Sequence, residues 1–344
     1  MKIGWRGALG FVLSAAFLVW TMREVSFAQV WGVLRQSSLP LFLLSATVAT
    51  LIFPLRALRW RVILEPIAHD IPFGALWRST AVGMMVNNVF PARAGELARA
   101  YALTREEPRV NFAAAFASLA VDRIFDAVTV VILLVTAMIF SDFPPETTIG
   151  GQPINRVAMG TGLLAVGALA GVVAMAMFPS LVVRIWDGVV GRIAPRFVDR
   201  GRRLLESFMS GLGALRSPVR FAKVLGWAIV MWLVNGLSFW IGFLAVGIEA
   251  PYTAALFLMG VIAISVAIPS SPGFFGVFEA AALAGLTLYN VKSDLAVSWA
   301  LGFHLLAFLP ITLIGLFYFA RLGMKFGELG QQAAGGTTKA GAPA

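Results

Sequence analysis

The chain has 344 residues, 59% of them hydrophobic and 13% charged, with a formal net charge of +10. So low a charged fraction, about half the usual share, excludes an ordinary soluble domain. Absent cysteines exclude disulfides and thiolate sites, and His69 and His304 are too few and too far apart for a histidine metal cluster.

Apolar runs predict helices at 7–22, 39–58, 112–140, 157–178, 223–247 and 295–320. Several approach the roughly 20 residues a helix needs to cross a bilayer. The runs are continuous rather than alternating, which argues against a β-barrel. The first run follows Lys2 and Arg6 but lacks a small-residue cleavage site, so a retained helix is expected instead of a signal peptide. Two further stretches are shorter and interrupted. One covers 73–90 and ends at Pro91; the other covers 253–268, ends at Pro269 and is followed by 274–289. The expected fold is an all-α polytopic membrane protein of about 6–8 transmembrane helices plus two broken or re-entrant elements. A single membrane domain is expected over 1–329, with halves at 39–140 and 223–320 and a disordered Gly/Ala/Thr-rich tail at 330–344.

Basic residues cluster at the ends of the apolar runs, which points to topology and anionic headgroups, not nucleic acid. The 141–155 loop carries Asp142 and Glu146 without Lys or Arg, whereas 179–223 is rich in arginine. The positive-inside rule then sets both termini in the cytoplasm, with 73–90 starting and ending on one side, as a re-entrant or broken hairpin or a helix lying in the interface. The Arg-rich 180–220 stretch is expected to lie along the membrane surface. The break "PARAG", from Pro91 to Gly95, is echoed by "PSSPG", from Pro269 to Gly273. Each occupies the same place in its half, and the flanking helices run in opposite senses. An inverted repeat with two discontinuous elements is a transporter-like arrangement.

Four constellations could carry chemistry. In "NNVFPARAGELAR", Asn87 and Asn88 can satisfy backbone groups freed before Pro91, Gly95 permits a turn, and Glu96 and Arg99 are spaced to pair on one helical face. Arg93 and Arg99 either bind an anionic headgroup or form a solvated rim with Glu96. In "AVDRIFDAV", Asp122 and Asp126 share a helix face, with Arg123 beside them; intramembrane ionisable residues suggest a functional site. Arg56 and Arg59 in "FPLRALRW" are either positive-inside anchors or a phosphate-binding pair. In "IPSSPGFFGVFEAA", Ser271 can satisfy freed backbone, Gly273 allows close approach, and Glu279 stands in an apolar helix without a partner nearby in sequence. Glu279 is expected to be neutral or to reach a distant arginine. His304 reads as a satisfied core histidine ahead of a proton relay.

The segments "LRWRVIL", "NNVFPARAGELARAYAL", "AVDRIFDAV" and "IPSSPGFFGVFEAA" together resemble the flippase-like membrane domain of lysylphosphatidylglycerol synthases. The resemblance covers about 56–320 and implies a many-helix protein that moves or handles lipids across the bacterial cytoplasmic membrane. It implies the membrane half only, without the soluble aminoacyl-transferase domain of the synthases. The leading expectation is thus a lipid translocase, not an enzyme, with membrane lipids as ligands and lipid-biosynthetic enzymes as further partners. It needs no metal or cofactor, and without an ATP motif it would draw on a gradient or the membrane potential. The alternatives are an intramembrane enzyme acting on a lipid headgroup and a non-transporting partner of a lipid-biosynthetic enzyme.

Overall fold

The structure, a computed structural model, describes residues 5–23, 25–90, 94–141, 143, 147–195, 198–199, 201–202, 217–267 and 271–325. Pro91, Arg93 and Pro269 lie outside the described residues, as does the 330–344 tail.

The chain opens with α1 (Trp5–Arg23) and α2 (Phe27–Gln36). A long span follows in two pieces, α3 (Leu39–Thr50) and α4 (Ile52–Leu64), broken at Leu51. Pro54 accounts for the break, because it has no N–H to offer the Thr50 carbonyl four residues back and its ring crowds that carbonyl. The span outruns the expected 39–58 because Arg56, Arg59 and Arg61 lie inside the helix instead of marking its end.

The first interrupted stretch does not turn back within 73–90: it is one continuous helix, α5 (Phe73–Val89), and the arm that packs back on it is α6 (Gly95–Glu106), beyond the stretch expected. Two glycines let the arms touch. A Cβ on Gly95 would overlap the Gly83 carbonyl and the Asn87 side chain, while one on Gly83 would come within 2.7 Å of Arg99 Cβ. Asn87 Oδ1 accepts from the Gly95 N–H at 2.8 Å and satisfies the first donor of α6. Then comes α7 (Phe112–Phe140), capped by Asn111. A two-residue antiparallel pair, β1 (Thr148–Ile149) and β2 (Gln152–Pro153), leads into α8 (Ile154–Met177) and α9 (Pro179–Ile193). Leu181, Ile185, Val189 and Ile193 are all exposed and four residues apart. This one-sided apolar stripe is what a helix lying in the membrane interface presents.

The second half repeats the plan of the first. A long helix, α10 (Pro218–Val246), precedes a hairpin of α11 (Tyr252–Ser265) and α12 (Val277–Thr287), and α13 (Ser293–Arg321) closes it. The leading helices of the two halves run antiparallel along their length. Ser38 N–H donates to Ala245 O at 2.8 Å, Ser45 Oγ donates to Ser238 O at 2.6 Å, and Arg220 pairs with Glu65 at 3.2 Å. The halves are therefore inverted with respect to each other, as the two breaks suggested. Their packing is reciprocal: α7 lies on α11 of the other hairpin, and α13 lies on α5. A glycine makes room each time. Gly260 faces Leu134 of α7, and a Cβ on Gly315 would overlap the Ala81 carbonyl of α5.

Among the described residues, Leu39–Leu64, Phe112–Phe140, Pro218–Val246 and Ser293–Arg321 are long and apolar enough to cross a membrane, and Tyr252–Ser265 and Pro272–Thr287 are shorter apolar helices. The protein is an all-α, multi-pass membrane protein.

Candidate functional site

Charge is buried where α4, α6 and α7 meet. Arg56 and Arg59 stand one turn apart on α4, and Asp122 and Asp126 stand one turn apart on α7, so the pairs interlock. Arg59 Nη2 lies 2.6 Å from Asp122 Oδ1, and its Nη1 lies 2.8 Å from Asp126 Oδ1. Arg56 Nη1 donates to Asp126 Oδ2 at 2.6 Å and reaches Asp122 Oδ2 at 3.3 Å. From α6, Arg99 Nη1 donates to Asp122 Oδ2 at 3.1 Å while its guanidinium lies 4.1 Å over the Trp60 ring. The other half contributes Trp232 of α10, whose Nε1 donates to Asp126 Oδ1 at 3.0 Å. Trp60 is itself fixed by a 2.8 Å bond to Ser118 Oγ.

All five charged side chains are buried, with Arg59 fully enclosed at 0% exposure and Arg99 at 2%. Three guanidiniums face two carboxylates, so one positive charge is left over. Among the described residues, Arg56 Nε, Arg99 Nε and Arg99 Nη2 are buried without a hydrogen-bond partner. Beside this core, Arg123 pairs with Glu96 and lies 3.7 Å from Asp126, with its side chain 45% exposed. That edge connects the buried charge to the surface.

These positions correct three expectations. Glu96 pairs across helices with Arg123 and not with Arg99 one turn away. Arg99 is no rim residue, because it is enclosed by Asp122 and Trp60. Arg56 and Arg59 are neither exposed anchors nor free phosphate ligands, because Asp122 and Asp126 occupy their inner faces.

Glu279 lies elsewhere, in the second hairpin. Its partner is not an arginine: Oε1 is 2.7 Å from His304 Nδ1 and Oε2 accepts from the Gly276 N–H at 2.6 Å. Gly273 offers its carbonyl to His304 Nε2 at 2.8 Å. Ser271 N–H is taken by Ser14 Oγ of α1 at 2.8 Å. Asn88 serves neither cluster directly; it ties the end of α5 to Thr312 of α13 at 2.8 Å. The Pro272–Phe274 turn packs on α5, so the two broken elements touch. No hydrogen bond or ion pair among the described residues joins the arginine cluster to Glu279.

A groove of 490 Å³ lies between α3–α4 and α13, lined by Leu43, Thr47, Pro54, Trp77, Leu309 and Pro310 among others. Its lining is overwhelmingly apolar. It shares α4 with the charged cluster, Pro54 and Arg56 being two residues apart. Sequence reasoning passed over Trp232 and placed a satisfied core histidine ahead of a proton relay at His304. The available signal was charge matching, since two arginines on one helix face and two aspartates on another are complementary.

The chain matches the family described as the lysylphosphatidylglycerol synthase TM region over residues 7–315. It belongs to that family. Two relatives illustrate the family's range. The chain is 26% identical to the glycosyltransferase AglD of Haloferax volcanii over 297 residues, 79% of this chain and 47% of that protein. It is 24% identical to a UPF0104 membrane protein of Methanothermobacter thermautotrophicus over 313 residues, 84% of this chain and 86% of that protein. The chain thus spans about half the length of the glycosyltransferase and most of the UPF0104 protein.

Proposed function

We propose that this protein binds the phosphate-bearing head of an anionic lipid beside Arg99 and Arg123 and carries it across the cytoplasmic membrane, with both of its own termini inside. The observation behind the reading is the unbalanced positive charge of the Arg56–Arg59–Arg99 cluster, with guanidinium N–H groups left over. A lone cation in hydrocarbon costs about 2.5–3.5 kcal/mol even on insertion scales, so an anion that neutralises it is favoured. Guanidinium groups suit phosphate oxygens because their N–H donors form a planar fork. The apolar groove on the same helix supplies a surface for an acyl or prenyl chain. Inverted halves with touching hairpins support the reading, because alternating access in transporters rests on one such half moving against the other.

The carboxylates weigh against a headgroup-modifying enzyme. Asp122 and Asp126 are both engaged by arginines, which leaves neither placed as a base or metal ligand. One relative is named a glycosyltransferase; on that ground we add a second ligand of the same phosphate chemistry as our own reading, a sugar carrier lipid linked through phosphate, with a lipid-biosynthetic enzyme as partner.

Mass spectrometry of lipids that copurify with the protein distinguishes these readings. Anionic phosphate lipids should be enriched over zwitterionic ones by about tenfold, about 1.4 kcal/mol, because a zwitterionic head brings its own cation beside the phosphate and leaves the cluster's charge uncompensated. Arg123→Ala at the edge should reduce that enrichment while the fold persists. Phosphatidylglycerol in the bound fraction favours a phospholipid, and a polyprenyl phosphate favours the carrier. No enrichment of either, from folded protein, contradicts the reading.

A further inference from the structure

The second hairpin holds a hydrogen-bond arrangement that headgroup binding does not use. A carbonyl oxygen only accepts, so the 2.8 Å contact between His304 Nε2 and Gly273 O requires a hydrogen on Nε2. The 2.7 Å contact between His304 Nδ1 and Glu279 Oε1 then closes only around one more proton. That proton sits either on the ring, giving imidazolium and carboxylate, or on the carboxyl, facing a neutral ring. Both forms are neutral overall and hold the same number of protons. Without it, two lone pairs confront each other where Glu279 is 0% exposed and His304 8%. Phe275 and Phe278 stack on the ring at 4.5 and 4.3 Å between centroids, leaving little room for water to relieve the conflict.

The same two side chains fasten a strained loop. Gly273, Phe274 and Gly276 have φ of +69°, +62° and +88°. For a phenylalanine that conformation persists only when its surroundings impose it. Gly273 O and Gly276 N, at the two ends of this strained turn, both bond to the His304–Glu279 pair. Outside it, Ser271 bonds Ser14 of α1, and the turn rests on α5 of the first hairpin.

Neighbouring elements bring no second charge to the pair among the described residues. α3 carries no Asp, Glu, Lys or Arg; α11 likewise has none, its titratable group being Tyr252 at the helix start. Arg23 ends α1, Arg35 of α2 lies over Trp31, and Arg78 of α5 pairs with Glu106. Arg220 and Lys223 belong to the first turns of α10, and on α13 itself Asp294 and Arg321 stand at opposite ends.

We propose that Glu279 and His304 form a binding site for a single proton, whose occupancy closes the 271–276 loop on α13 and whose loss frees the second hairpin. The use of that proton to drive lipid movement rests on the function proposed above; proton binding itself does not.

Hydrogen exchange read by mass spectrometry tests this on the full chain in phosphatidylcholine nanodiscs over a pH series, after correction for base-catalysed exchange. Protection of the 271–280 amides should fall about ten- to hundredfold through one transition as pH rises, the effect of losing a charged hydrogen bond, while α7 stays flat. Glu279→Gln should abolish the transition and keep the loop closed. Its amide N–H₂ donates to Nδ1 as a protonated carboxyl would, and its carbonyl still accepts from Gly276. A flat wild-type profile overturns the proposal without recourse to any variant, and so does an unchanged transition in a folded Glu279→Gln protein. A transition in a protein that moves no lipid leaves the proton site standing and removes the proposed function.

Discussion

Asp122→Asn is expected to destabilise the fold by about 3–5 kcal/mol, the range for removing one partner from a buried ion pair. Asp122 is approached by Arg56, Arg59 and Arg99, from two helices. An asparagine oxygen can still accept from Arg59 Nε, now 2.8 Å from Oδ1, so much of the shape survives. What is lost is charge, since three buried guanidiniums would face one carboxylate, and the Oδ2 acceptor, since an amide N–H₂ in its place would face the Arg56 and Arg99 donors. Heating detergent-solubilised protein and following its monodisperse fraction should show the variant failing well below wild type. Adding Arg99→Met removes one excess cation and should restore part of that stability, a coupling visible in a double-mutant cycle. It should not restore lipid enrichment, because Arg99 supplies the unpaired donors. Stability and ligand retention recovering together would contradict the division of roles drawn here.

Gly95→Ala should be the second large effect, at about 1–3 kcal/mol for overpacking a close contact. The added methyl has nowhere to go, because the Gly83 carbonyl is backbone and Asn87 is held by the Gly95 N–H. The arms of the first hairpin must separate. Arg99 sits one turn beyond Gly95, so its contact with Asp122 should loosen in the same step. Lipid enrichment should fall more than stability alone explains. Gly32→Ala provides the control, since a Cβ there meets nothing within 4 Å; alanine suits the interior of α2 better than glycine, so neither property should fall.

The spans were legible because hydropathy is a local property. The 112–140 run appears as Phe112–Phe140, and 223–247 appears as Pro218–Val246. Proline and glycine marked where the chain breaks, but the turn-back expected within 73–90 is completed only by α6, beyond it. α6 was harder to read as a helix, because alanine, arginine and glutamate give "GELARAYALTRE" no apolar run. The electrostatic partners were the least legible. An arginine near the end of an apolar run looks the same in sequence whether it anchors in headgroups or meets an aspartate 63 residues away, as Arg59 meets Asp122. Glu279 seemed solitary because His304 lies 25 residues on, across a turn. Such pairs depend on how helices pack, and packing in a membrane follows small residues such as Gly83, Gly95 and Gly315 more than hydropathy.

Leaflet exchange in reconstituted vesicles tests the central claim most directly. Wild-type protein in phosphatidylcholine vesicles would be given fluorescent phosphatidylglycerol or fluorescent phosphatidylcholine, with exchange followed by quenching of the outer leaflet. The account predicts protein-dependent exchange of the anionic lipid well above the zwitterionic one, reduced by Arg123→Ala and by Gly95→Ala. For a polyprenyl carrier, the same preference appears with a fluorescent polyprenyl phosphate as the anionic probe. Exchange of every anionic probe at the rate of protein-free vesicles, from protein shown to be folded in the bilayer, would contradict it.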